Sequence, residues 1–180
     1  MSDHCVIGLR AAIKALKHTI APAVDPANPL ANEQLRMVCA FLSMLAEQLP
    51  HRSMRIRYDL QSATALAEAV LPHVQGSSIE SVAALEAARA LARRALAADY
   101  VTETEIEHAT GCVNAALSAT VRALNECDVT TRERVERAVV LHAKTWLDVQ
   151  RAWFLPLGFD PNARTVPSIV TALSAPASNA

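Results

Sequence analysis

The chain has 180 residues, a net charge of −1 and only four glycines, and 52% of it is hydrophobic although only 4% is aromatic. Alanine and aliphatic residues favour helices, whereas strands and their turns use glycine, β-branched and aromatic residues. The composition therefore predicts an all-α protein. The near-neutral charge and the absence of a long basic run argue against a nucleic-acid-binding protein.

The start of the chain, MSDHCVIGL, lacks the charged head and long apolar run of a signal peptide. No stretch reaches the roughly 18 apolar residues that a membrane helix needs. The cysteines stand apart without a C-x-x-C pair, which is typical of reduced thiols in a cytoplasmic protein; they are Cys5, Cys39, Cys112 and Cys127. We therefore expect a cytoplasmic protein with no membrane contact.

Three helices separated by prolines are predicted in the first part of the chain, at about 3–21, 29–49 and 53–74. Asn28 followed by Pro29 suits the start of the second helix, and Pro72 predicts a kink or a frayed turn near the end of the third. Apolar residues recur every three or four positions in each. These seams are Val6, Leu9, Ile13, Leu16 and Ile20; Leu35, Val38, Leu42, Leu45 and Leu49; and Leu60, Ala63, Ala67, Val70 and Val74.

Capping boxes predict the starts of three more helices, at about 77–98, 102–127 and 130–154. A serine or threonine followed three residues later by glutamate satisfies two free backbone N–H groups. The pairs are Ser77 with Glu80, Thr102 with Glu105, and Thr130 with Glu133. Alanine faces on the fourth and fifth helices predict close packing. Short loops make these three helices antiparallel neighbours, and the fifth helix has the seam Ile106, Ala109, Val113, Ala116, Thr120 and Leu124.

The sixth helix is apolar around most of its circumference, which predicts a central position with neighbours on several sides. Its seam is Val135, Val139, His142, Trp146, Val149 and Trp153. The irregular segment that follows carries Leu155, Leu157 and Phe159, so we expect it to lie back on the bundle. A short helix is predicted over 166–174 and a disordered tail over 175–180, which makes 1–174 a single domain.

His142, Trp146 and Trp153 share one face of the sixth helix and form the first candidate site. Aromatic walls around one titratable group suit a small-molecule pocket. The alternative is a core histidine whose ring is hydrogen-bonded within the bundle, with the two tryptophans filling volume.

A basic cluster at the start of the third helix forms the second candidate; it consists of His51, Arg52, Arg55 and Arg57. Arginines bind phosphate and carboxylate groups, so an anionic ligand such as a nucleotide or a coenzyme A phosphate is one interpretation. The other is a solvated turn whose arginines pair with Glu47, Asp59 or carboxylates of neighbouring helices. No glycine-rich phosphate loop accompanies the cluster.

Glu105 and His108 have the Glu-x-x-His spacing of di-iron bundles. That site needs a second such pair, which the sequence lacks, and Glu105 is better explained by the Thr102 cap. We therefore predict no metal and no cofactor. A Gly-x-Ser-x-Gly nucleophile motif is also absent, and a Cys–His pair is neither supported nor excluded by the sequence.

Two segments, PAVDPANPLANEQLRMV at 22–38 and RAWFLPLGF at 151–159, carry a resemblance. They resemble stretches of small uncharacterised all-helical bacterial proteins, some of them associated with acyl-CoA dehydrogenases and phosphotransferase-like proteins. The resemblance implies an accessory protein in acyl-CoA or lipid catabolism and assigns no role to any residue.

The sequence as a whole predicts an up-and-down bundle of about six helices. Charged residues are 19% of the chain, below the roughly 25% of an average soluble protein. This low charge favours a homo-oligomer or a protein partner, although an alanine-rich surface would explain it equally well. We expect a non-catalytic accessory or scaffolding protein; the alternative is a small-molecule binder or enzyme with a pocket at His142, Trp146 and Trp153.

Overall fold

The computed structural model describes residues 2–75 and 81–176, and within them all regular secondary structure is helical. This confirms the all-α fold. The six main helices are α1 (Ser2–Ala15), α2 (Pro29–Gln48), α3 (Arg52–Val74), α4 (Ser81–Ala97), α5 (Glu103–Ala123) and α6 (Val129–Phe154). A short α7 covers Ile169–Ser174, three residues later than predicted, because the Ser168 hydroxyl accepts from the Thr171 N–H at its start.

Two of the predicted helix starts are confirmed in detail. The Asn28 side chain accepts a hydrogen bond from the Ala31 N–H, with Pro29 in the first turn. Thr102 and Glu105 form the complete capping box at the start of α5. Both caps satisfy backbone N–H groups that have no partner inside the helix. The Ser77–Glu80 box lies outside the described residues.

The predicted cap of α6 is wrong. The helix begins at Val129, so Thr130 is already inside it. The Asp128 carboxylate accepts from both the backbone N–H and the hydroxyl of Thr131, at 2.9 Å and 2.7 Å. Aspartate is a better cap than threonine and here makes two hydrogen bonds, so the cap lies two residues before the predicted one.

The chain divides into two compact units. The first comprises Met1–Arg52 with Val149–Ala172, and the second comprises Ser53–Asp148 with Leu173–Ala180. The single domain predicted over 1–174 therefore stays a prediction, and most of the predicted tail, 177–180, lies outside the described residues.

The second unit holds a continuous core formed by α3, α4, α5 and the start of α6. The predicted seams of α3 and α5 are buried at every position. Helices α4 and α5 pack against each other along an extensive contact. Small side chains at their contact, Ala88, Ala92 and Ala109, are buried and allow this approach.

The first unit is built on the contact between α1 and α2. Helix α1 continues as a π-helical turn over Leu16–Ile20 and a 3₁₀ turn over Ala21–Ala23, where Pro22 ends it. The segment Leu155–Leu157 packs against α2, as predicted for the apolar stretch after α6. The side-chain amide of Gln48 donates to the Trp153 carbonyl at 2.9 Å, and Arg151 pairs with Asp160 through its Nε at 2.9 Å.

Two predicted burial patterns are wrong. In α2 the buried face turns toward Cys39 and Ala46, whose small side chains suit the close approach of α1, and Val38 is exposed. Helix α6 is not surrounded by neighbours, since Val140 and Leu147 are exposed. They share the outer face of α6 with Lys144, whose charge favours contact with water.

Within the described residues, no helix is long and apolar enough to cross a membrane.

Candidate ligand-binding cavity

A cavity of about 430 Å³ lies between α3, α5 and α6 within the second unit. Each helix contributes residues at helical spacing, so one stripe of each faces the cavity. The lining residues are Arg55, Asp59, Ser62, Ala63 and Leu66 from α3, Thr110 and Asn114 from α5, and Val139, His142, Ala143 and Trp146 from α6. Its volume lies in the range of about 300–1,000 Å³ that is typical of small-molecule sites.

The central polar contact is a hydrogen bond of 2.9 Å between the Ser62 hydroxyl and Nε2 of His142. Ser62 is only 3% exposed, so this bond satisfies a hydroxyl that would otherwise be buried without a partner. Burial lowers the pKa of His142 from its ordinary value of 6.5. The imidazole is therefore mostly neutral near pH 7, with one ring nitrogen as donor and the other as acceptor.

Among the lining residues, Arg55 is the one with a permanent positive charge, and the carboxylate of Asp59 compensates that charge. The Arg55 Nε lies 2.9 Å from both carboxylate oxygens of Asp59, one helical turn further on. The Arg55 side chain is 12% exposed and that of Asp59 33%. With a neutral His142, the cavity wall carries one positive and one negative charge and no net charge.

Trp146 lies at the open side of the cavity and is 41% exposed. Leu66, Val139 and the two alanines supply the apolar wall, while Thr110 and Asn114 supply polar groups. The Thr110 hydroxyl donates to the Ile106 carbonyl at 2.8 Å, which leaves the Asn114 amide as the adaptable group on this helix. An apolar wall with a few convergent polar groups is the usual composition of a ligand site.

The Ser62–His142 pair differs in two ways from the serine and histidine of a catalytic triad. Among the described residues, His142 has no carboxylate partner that would orient its ring in the way a Ser–His–Asp triad requires. Ser62 lies in the middle of α3, almost fully buried. A nucleophile has to reach the substrate carbonyl, and the hydroxyl here is held inside the wall.

The structure brings together only part of the predicted site residues. His142, Trp146 and Arg55 line the same cavity, whereas Trp153 and Arg52 belong to the first unit. The guanidinium of Arg57 donates to the Leu96 carbonyl at 2.7 Å instead of facing the cavity. Of the three arginines, Arg55 lines this cavity, and its pair with Asp59 is the pairing that the alternative interpretation expected.

The Glu105–His108 pair is also engaged in other contacts. The Glu105 carboxylate accepts from the backbone N–H and the hydroxyl of Thr102, at 2.8 Å and 2.7 Å. His108 Nε2 lies 3.7 Å from the Cys112 sulfur, one turn along α5. No group of three or more potential metal ligands occurs within 2–75 and 81–176.

The sequence analysis did not identify four polar residues of the lining: Asp59, Ser62, Thr110 and Asn114. Asp59 was considered only as a partner for the arginines. A signal existed: Ser62 interrupts the buried side of α3, and Thr110 and Asn114 form a polar i, i+4 pair beside the apolar seam of α5. Polar residues at helical spacing beside a seam indicate a stripe that faces a polar partner. The partner, His142, is 80 residues away from Ser62 in the chain.

Protein-family models, curated proteins and solved structures give no significant match to this chain. The resemblance of 22–38 and 151–159 to small all-helical bacterial proteins stays a prediction.

Proposed function

We propose that this chain is a small-molecule-binding helical protein whose ligand occupies the cavity between α3, α5 and α6. The observation that supports this most is the convergence of His142, Ser62 and Trp146 on a 430 Å³ space open to solvent. Had Trp146 been enclosed in a dry core, the same residues would have been better explained as structural. In this proposal the His142 ring and the Asn114 amide hydrogen-bond the ligand.

The charge of the wall indicates the class of ligand. Arg55 is already neutralised by Asp59, and His142 is mostly neutral near pH 7. An anion would meet no uncompensated positive charge and would lose its hydration. We therefore expect an uncharged cyclic or aromatic molecule that stacks on Trp146 and carries at least one hydrogen-bonding group. This replaces the nucleotide-like ligand that the arginine cluster suggested.

The ligand class can be tested with benzamide and benzoate, which have the same shape and differ in charge. We expect benzamide to bind in the millimolar range, as suits a fragment of this size, and benzoate to bind at least about tenfold more weakly, a difference of about 1.4 kcal/mol. Chemical-shift changes in ¹H–¹⁵N spectra of the full chain measure both affinities. Equal affinities, or tighter binding of benzoate, would contradict a neutral ligand.

The role of His142 is tested by His142→Ala, with Val140→Ala as the matched control, because Val140 lies on the exposed face of the same helix. We expect His142→Ala to abolish benzamide binding while the helical circular dichroism shows that the chain stays folded. The melting temperature should fall only modestly, because the buried Ser62 hydroxyl loses its partner. Val140→Ala should change neither. If His142→Ala instead lowers stability strongly and leaves binding intact, His142 is a core residue.

A second candidate function, a non-catalytic accessory or scaffolding role in the cytoplasm, is favoured by a different observation. Helix α2 exposes several large apolar side chains that no described element covers. Such surfaces mark protein interfaces more often than chance. The resemblance would place this role in acyl-CoA or lipid catabolism, with a homo-oligomer or an enzyme as partner.

A further inference from the structure

A second cavity, which we call the arginine cavity, lies between α3 and α6 in the second unit and has a volume of about 230 Å³. Its floor is made of small side chains, Ala65 and Ala69 of α3 and Ala138 of α6. Ala65 and Ala69 are four residues apart and therefore lie on one stripe of α3. The volume is below the range of about 300–1,000 Å³ that is typical of drug-sized ligands, so it suits a small ligand or one end of a larger ligand.

The wall of the arginine cavity is basic. Arg134 and Arg137 contribute guanidinium groups from α6, and His73 contributes an imidazole from the last turn of α3. His142 completes the wall and is shared with the first cavity. Among the described residues that line the arginine cavity, none is acidic. The first cavity contains one arginine that is paired with an aspartate, so the two cavities favour ligands of different charge.

The charges of Arg134 and Arg137 have no partner in the part of the chain that the structure describes. Glu133 precedes Arg137 by one turn, in the order and spacing that favour an ion pair on a helix surface. Neither arginine, however, forms an ion pair or a hydrogen bond with a described residue. The two guanidinium groups are three residues apart on one helix, so their like charges repel each other. An anion bound between them would relieve this repulsion.

We propose that the arginine cavity binds a phosphate group, held by Arg134 and Arg137 with His73 as an additional hydrogen-bond donor. Guanidinium groups match the oxygens of phosphate with pairs of parallel N–H···O bonds, and a protonated ring nitrogen of histidine donates to the same kind of acceptor. The phosphate group is either free inorganic phosphate or the end of a phosphate monoester. The site is separate from that of the proposed function, because neither arginine lines the first cavity.

The first experiment titrates the full chain with inorganic phosphate near neutral pH, with sodium chloride added to hold the ionic strength constant. The arginine Nε–H signals in ¹H–¹⁵N spectra report contact with the anion. We expect the signals of Arg134 and Arg137 to shift saturably, with a dissociation constant in the millimolar range. The signal of Arg94 should stay close to its position. Arg94 is the control because it is also exposed, but it lines a different cavity that contains the Glu105 carboxylate.

Substitutions separate this site from a general attraction of anions to the protein. Arg137→Gln should raise the dissociation constant for phosphate at least about tenfold, because charge-assisted hydrogen bonds to the anion are lost. Arg94→Gln removes the same charge from the same unit and should change the constant by less than about twofold, because salt screens exposed charges outside the site. Circular dichroism checks that both variants fold, which we expect because both side chains are exposed.

Phenyl phosphate distinguishes the two sources of the phosphate group. If it binds at least as tightly as inorganic phosphate, the site accepts a phosphate monoester; if it binds much more weakly, the site takes free phosphate. Three outcomes would overturn the proposal: no saturable shift of the Arg134 and Arg137 signals with either compound, an Arg137→Gln variant that binds phosphate like the wild type, or an equal loss of affinity in Arg137→Gln and Arg94→Gln.

Discussion

His142 lines the cavity, and its burial favours the neutral form of the imidazole by lowering its pKa. Its imidazole is hydrogen-bonded to a buried serine hydroxyl, and burial disfavours the protonated ring. Protonation would place a positive charge against an apolar wall and would remove the acceptor nitrogen. The same residue should therefore make both ligand binding and stability depend on pH.

The stability of the wild type should fall between about pH 7.5 and about pH 5 by more than that of His142→Gln. The folded-state pKa of His142 lies below the ordinary value of 6.5, so the unfolded chain binds the proton more tightly. The stabilising contribution of the neutral His142 ring is complete above the unfolded-state pKa, and it is lost as the pH falls through the folded-state pKa. Urea unfolding at the two pH values measures the free energies of unfolding.

The comparison with His142→Gln removes the contribution of groups that both proteins share. Hydrogen bonds from Thr102 lower the pKa of Glu105, and hydrogen bonds from Thr131 lower that of Asp128, so both titrate in more acidic solution. Parallel losses of stability in the wild type and in His142→Gln would show that His142 is not the group responsible.

Periodicity predicted individual core residues well and the cavity poorly. The seam of α3, from Leu60 to Val74, is buried as predicted because a three- and four-residue spacing specifies one helix face. The contact of Ser62 with His142 depends on which faces of two distant helices meet. Local pattern carries no information on that choice, so only one member of the pair was predicted as a site residue.

At the scale of elements, α4 and α5 form an extensive contact that buries alanines in place of larger side chains. Ala92 is fully buried on α4. A larger side chain there has no space unless the two helices separate, and overpacking of a core costs about 1–3 kcal/mol. We expect Ala92→Leu to lower the free energy of unfolding by about this amount, measured by urea denaturation.

Ala87→Leu is the control for this prediction, because Ala87 lies on the same helix and is exposed. The two variants change the helix propensity of α4 equally, so their difference reports the packing alone. A stability of Ala92→Leu equal to that of Ala87→Leu would mean that the two helices do not pack through their alanine faces.

A capping-box spacing identifies the region where a helix starts but does not by itself select the residue. The Thr102–Glu105 box forms at the start of α5, although Thr104 and Glu107 have the same spacing two residues later. Before α6 the structure uses Asp128 instead of Thr130, because the Asp128 carboxylate reaches two donors of Thr131. The N-cap preference of aspartate over threonine agrees with this start.

At the scale of the whole molecule, the two compact units differ in how they use their apolar residues. In the second unit they form one continuous core. In the first unit several large apolar side chains remain exposed: Leu30, Met37, Val38 and Phe41 of α2, and Ile7 of α1. The composition predicted the helical class and left open whether the low charge reflects a surplus of apolar surface or an alanine-rich surface. It did not predict which apolar residues are exposed. The spacing of Val38 within the α2 seam is the same whether or not a neighbouring helix covers this residue.

The central claim, that the cavity of the second unit binds an uncharged aromatic molecule, is tested most directly by the fluorescence of Trp146. Trp153→Phe leaves Trp146 as the single tryptophan of the chain. We predict that benzamide changes its emission saturably and that Ala143→Phe, which fills the cavity, abolishes the change. An emission change that never saturates, or that persists in the filled cavity, would contradict ligand binding at this site.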